Sequence, residues 1–89
     1  MTLIERAARV AAVGIEAMVR ASGVEAGLVR PVTLYLLVTG CNLPGAVVAR
    51  VVGCTKQNVS KHQQRIEDLR DEPGFDAQLQ SFEDQLFSL

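Results

Sequence analysis

Lys56, Gln57, Ser60, Lys61 and Gln64 are spaced so that a helix would gather them on one face. All five side chains can hydrogen-bond and none is acidic. A glutamine amide can pair with both N6 and N7 of adenine, and a lysine can donate to O6 and N7 of guanine; a good bidentate pair discriminates by roughly 1 to 3 kcal/mol. These residue types on one outward face point to the edges and phosphates of a nucleic-acid duplex. Thr55 and Asn58 flank the set and suit either a helix cap or a phosphate contact, and Arg50 and Arg65 are assigned to the phosphate backbone.

Other chemistries find less support. His62 is the single histidine, with no second metal ligand and no nucleophile at a recognisable spacing, so it is expected beside the helix seam or against phosphate. Cys41 and Cys54 lack zinc-site spacing and read as free thiols. There is no glycine-rich phosphate loop, paired-carboxylate site or Ser/His/Asp pattern, which argues against an enzyme and against any cofactor.

The element that must present these side chains runs from Leu43 to Arg70 and reads as a short helix, a tight turn and a longer helix. Ala49 is small where the two helices approach closest, and Gly53 can take the positive φ of the turn. Val48 and Val52 on the first helix, with Val59, Ile66 and Leu69 on the second, repeat at helical spacing and form the expected seam. Thr55 is the expected N-cap of the second helix.

Charge supports the same region. The 89 residues carry a net charge of −1, but residues 26–66 hold Arg30, Arg50, Lys56, Lys61 and Arg65 with no acid, a local charge of +5. From Glu67 onward seven acids face Arg70 alone, a local charge of −6. A basic centre on a helix-turn-helix is the footprint of a duplex binder, and the acidic segment is expected on the far side of the fold.

The rest of the chain reads as helices closing one small core. Thr2 and Glu5 have capping-box spacing, so a helix is expected from there to about Ala21. Its apolar surface is wide: Ile4, Ala8, Ala11, Ile15 and Met18 on one face, with Leu3, Val10, Val13 and Ala17 extending it. A buried core helix explains that width, and a dimer seam is the alternative. Gly23 to Gly27 reads as a connection, Pro31 as the first turn of a helix from Val32 to about Val38, and Tyr35 as a core residue or phosphate donor. Thr39 to Asn42 reads as a loop, with Asn42 as N-cap and Pro44 in the first turn of the next helix. After a break at Asp71 to Gly74, Phe75, Leu79, Phe82 and Leu86 mark a closing amphipathic helix. No strand pattern is present, and the longest apolar run, interrupted by Arg9, Gly14 and Glu16, is no membrane span. The expected fold is therefore all-α, a compact bundle of about five helices in one domain over residues 1–89.

Over most of its length the chain resembles the C-terminal DNA-binding domain of DnaA, the bacterial replication initiator. Arg30-Pro31-Val32-Thr33-Leu34-Tyr35-Leu36 is similar to that domain's Arg-Gln-x-Ala-Met-Tyr-Leu helix. Leu43-Pro44 with Val48, Arg50 and Gly53 resembles its Ser-Leu-x-x-Ile-Gly-x-x-Phe-Gly stretch, one residue longer. Ile66 to Arg70 and Asp71 to Asp76 resemble its closing Ile-x-x-Leu-Arg, Asp-Pro and final helix. The initiator's Gly-Arg-Asp-His-(Ser/Thr)-Thr-Val is here Gly53-Cys54-Thr55-Lys56-Gln57-Asn58-Val59, so its base-reading Arg, Asp and His are replaced. Its basic loop is compressed to Glu25-Ala26-Gly27-Leu28-Val29, without the minor-groove arginines. The resemblance implies a stand-alone DNA-binding domain with a different target, as in a transcriptional regulator of the gene transfer agent activator kind.

Together these readings predict sequence-specific binding of double-stranded DNA by a cytoplasmic, nucleoid-associated bacterial regulator. The acidic segment would dock RNA polymerase or another regulator, and a homodimer is allowed for; a membrane partner is not expected. The alternatives are a protein-protein interaction module on a helix-turn-helix scaffold and a replication-initiation accessory factor.

Overall fold

Thr2 opens the first helix, as its hydroxyl accepts the Glu5 backbone N–H at 3.2 Å. The computed structural model describes residues 2–87 and is all-α: α1 (Leu3–Ala21), α2 (Ala26–Tyr35) continuing into a π-helical turn (Leu36–Gly40), α3 (Gly45–Val52), α4 (Lys56–Leu69) and α5 (Pro73–Phe87). The expected capping box is only half formed. The Glu5 carboxylate accepts a hydrogen bond from the Thr2 hydroxyl and approaches Arg50 Nε at 3.7 Å rather than reaching back to the backbone.

The helices enclose a core centred on Leu34, Leu36, Leu37, Ile66 and Leu79. α2 is the centrepiece: α1 and α4 both pack on it, while α3 bridges α1 and α4. α5 closes the bundle against the π-helical turn through Leu79 and Phe82. The Cα radius of gyration, 12.3 Å, equals the about 12 Å expected of a compact chain of this length.

Three local expectations are corrected. α2 begins at Ala26, so Glu25 to Val29 is not a loop, and Pro31 stands in the helix interior. Val29 and Pro31 are both buried with Val32, so burial carries the helix through the proline, and Gly27, whose carbonyl loses its usual partner, lies exposed. Thr39 and Gly40 belong to the π-helical turn, in which the Cys41 N–H reaches the Leu36 carbonyl at 3.1 Å and the Thr39 hydroxyl donates to the Tyr35 carbonyl at 2.8 Å. At Gly40 the ring of Phe87 lies where a Cβ would stand, so a larger residue there would have to displace that ring. Asn42 is not a cap; it holds φ +53°, a left-handed turn that asparagine tolerates, and Pro44 takes the position before α3.

Arg70 ties the far end of the bundle. Its guanidinium bonds Asp76 and Glu83 (3.0 Å) on α5 and the Tyr35 hydroxyl (3.2 Å) on α2, with its carbon 5.8 Å from the Tyr35 ring centre. Burial works against the charge, but these bonds outweigh it and push the Arg70 pKa further up. Tyr35 is thus a core residue, its hydroxyl engaged by Arg70. Glu72 caps α5, its two carboxylate oxygens accepting the Gly74 and Phe75 N–H groups at 3.0 and 2.8 Å, and Pro73 is the helix's first residue rather than part of the break.

Candidate nucleic-acid interface

The surface is built by α3, a three-residue turn and α4. Gly53 ends α3 with φ +75° and ψ +41°, and the Gly53 and Cys54 N–H groups return to the Ala49 carbonyl at 3.0 and 2.9 Å. No atom lies within 4 Å of where a Cβ would stand on Gly53, so a substitution there acts through the backbone alone. Gly53→Ala is expected to destabilise the fold by about 1 to 2 kcal/mol, the cost of a left-handed L-residue, with Gly53→Asn losing less. Urea midpoints of the three proteins measure this.

Thr55 then caps α4, its hydroxyl accepting the Asn58 N–H at 3.1 Å. Val48, Val59 and Ile66 are buried in the seam, Ala49 beside them, and Val52 and Leu69 are half-buried at its ends. That seam turns the opposite side of α4 outward. Lys56, Gln57, Asn58, Ser60, Lys61, Gln64 and Arg65 are all exposed. At 100° per residue Gln57, Lys61 and Gln64 sit near the middle of the outer face, Ser60 and Arg65 flank them, and Lys56 lies at the edge beside Gly45 of α3.

Two features limit this surface. Asp68 follows Gln64 by one turn on the same face and accepts its amide Nε2 at 3.0 Å. Lys61, Gln64, Arg65, Asp68 and Leu69 together line one shallow groove. The acidic segment therefore does not begin on the far side of the fold: its first residues share α4 with the basic ones, about 18 Å along the axis from Lys56 to Asp68. Only the first three turns of α4 are free of acid. Arg50, exposed on α3, approaches Glu5 of α1 and so stands off the α4 face.

Arg30, counted in the sequence only as charge, acquires a place. Its guanidinium donates to the Val52 carbonyl at 3.1 Å, capping the last turn of α3. It also lies close enough to His62 to act on it. Burial, then the Arg30 and Arg65 charges, push the His62 pKa below its ordinary value. A depressed folded-state value means the unfolded chain binds the proton more readily. The stability His62 contributes is thus complete above about pH 6.5 and is lost as pH falls through the depressed value. His62→Asn should flatten the stability–pH curve in that window, read from urea midpoints between about pH 5 and 7. Arg30 could not be found from spacing, since its partner carbonyl is 22 residues away in the chain.

Cys41 and Cys54 are half-buried free thiols, and burial pushes the Cys41 pKa up, away from reactivity. Among the described residues no cluster of three or more His, Cys, Asp or Glu side chains could hold a metal, and no helix is long and apolar enough to cross a membrane. Compared with known proteins, the chain matches no family model, no curated protein and no solved structure.

Proposed function

We propose that this protein binds double-stranded DNA sequence-specifically through α4 and acts as a bacterial transcriptional regulator. The observation that carries the reading is the outer face of the first three turns of α4, where Lys56, Gln57, Ser60, Lys61 and Gln64 are exposed together without an acid. Seated by the Val48–Val59–Ile66 seam, that face is free to enter a major groove N-terminus first. Gln57 reads a base edge, Lys56 and Lys61 contact phosphate or guanine, and Thr55, Asn58 and Arg65 position the backbone. Arg30 reinforces the positive field from α2. The resemblance to the replication initiator's DNA-binding domain supports the same surface, and the altered residues after Gly53 support a different target.

Selection of bound duplexes from a random-sequence library at about physiological salt tests the proposal. Enrichment of a defined motif is the expected result. Recovery without a motif would reduce the reading to non-specific DNA binding, and no recovery would transfer it to a protein-interaction module on the same scaffold.

A further inference from the structure

α1, α2 and α3 surround a groove of about 290 Å³ to which α4 contributes no side chain. Arg9, Val13, Glu16 and Arg20 share one stripe of α1 and form its first wall. Arg30 and Leu34 of α2 form the second, and Val51 and Val52, in the last turn of α3, form the third. The volume lies at the lower end of the about 300 to 1,000 Å³ of small-molecule sites, and the lining follows their pattern of apolar walls interrupted by a few charged groups.

The charged groups are unbalanced. Three arginines stand against one glutamate, a local charge of +2 inside a concavity, where low-dielectric walls concentrate the field. Glu16 is committed to Arg20, accepting its Nε and Nη2 at 3.2 and 2.8 Å. Arg9 has no acidic partner among the described residues. Arg30 donates through Nη2 to the Val52 carbonyl, which holds the guanidinium against the third wall and leaves its other two nitrogens for a ligand. Such a donor is positioned before any ligand arrives, so less ordering entropy is lost on binding.

We infer that this groove binds a small phosphomonoester with an apolar, aromatic body. A phosphomonoester is close to doubly negative above its second pKa of about 6, which matches the +2 of the groove. The guanidinium fork bonds phosphate oxygens in pairs, whereas a lysine acts as a point charge, and all three cations here are arginines. Arginine planes also stack on aromatic rings, and Val13, Leu34, Val51 and Val52 give the rest of such a body an apolar seat. An acidic peptide or a nucleic-acid backbone would use the charge and leave those apolar walls uncovered. The inference does not depend on DNA binding, since no residue of α4 lines the groove.

Amide and methyl NMR of the full chain, titrated with phenyl phosphate to about 10 mM at about pH 7.5 and constant ionic strength, tests it. The expected result is saturable shifts of the Val13, Val51 and Val52 methyls, with a Kd of about 0.1 to 1 mM. Benzyl alcohol, which keeps the ring, and inorganic phosphate, which keeps the charge, should each bind about tenfold more weakly. Arg9→Gln, at an exposed residue that the fold uses in no ion pair, should weaken phenyl phosphate about fivefold, the upper range for an exposed pair, and Arg30→Gln should do so at least as much. Arg6→Gln removes the same charge from α1 outside the groove and should leave the affinity unchanged. No saturable shift, shifts centred on α4, inorganic phosphate bound as tightly as phenyl phosphate, or equal effects of Arg9→Gln and Arg6→Gln would each overturn the inference. Circular dichroism of every variant confirms that the fold is retained.

Discussion

Replacing Ile66 by alanine is expected to lower the free energy of unfolding by about 2 to 5 kcal/mol. Ile66 is completely buried at the middle of the inner face of α4, in the one core that all five helices share. Deleting three carbons there removes their transfer free energy and leaves a cavity that α2 and α3, held by their own contacts with α1, cannot collapse to fill. Domains of this size are stable by about 5 to 15 kcal/mol in total, so the variant would be poorly folded at the lower end of that range. Urea denaturation should show a lower midpoint with an unchanged slope, and Ser60→Ala, exposed on the same helix, should stay within about 0.5 kcal/mol of the parent. A shift for Ile66→Ala as small as that of Ser60→Ala would mean that α4 is not docked on the core.

Lys61→Ala and Gln57→Ala are expected to damage DNA binding in different ways. Both side chains are exposed, so neither change disturbs the fold. If Lys61 meets phosphate, its loss weakens every duplex alike and reduces the log–log salt slope by about 0.9. Gln57→Ala should relax preference at a single base position and cost about 1 to 3 kcal/mol on the selected site, with little effect elsewhere. Gln64→Ala should cost less than Gln57→Ala, because Asp68 already holds the Gln64 amide. Asp68→Ala should raise affinity, by removing an acid from the face and freeing Gln64. Competition binding with the selected duplex at several salt concentrations separates these outcomes. Unchanged affinity in both Lys61→Ala and Gln57→Ala would show that α4 is not the reading helix.

Elements governed by neighbours three or four residues apart are legible without a structure. Thr2 and Thr55 cap their helices through hydroxyls that act within one turn, and Gly53 is left-handed because no other residue type takes that turn as cheaply. The apolar repeat of Val48, Val59 and Ile66 assigns α4 an inside, and the exposed candidate residues follow from its opposite side. Matters that depend on distant partners are not legible in this way. Pro31 looks like a helix start, yet burial of Val29 and Pro31 beside Val32 draws the helix back to Ala26. Glu5 turns toward Arg50, Arg30 caps α3, and Arg70 joins α2 to α5, each through a contact between segments far apart in sequence. The width of the apolar stripe on α1 is plain from its residues, but only packing divides it into a face against α2 and α3 and a face left in water. Local spacing sets which side chains share a surface; long-range burial sets which surfaces are taken.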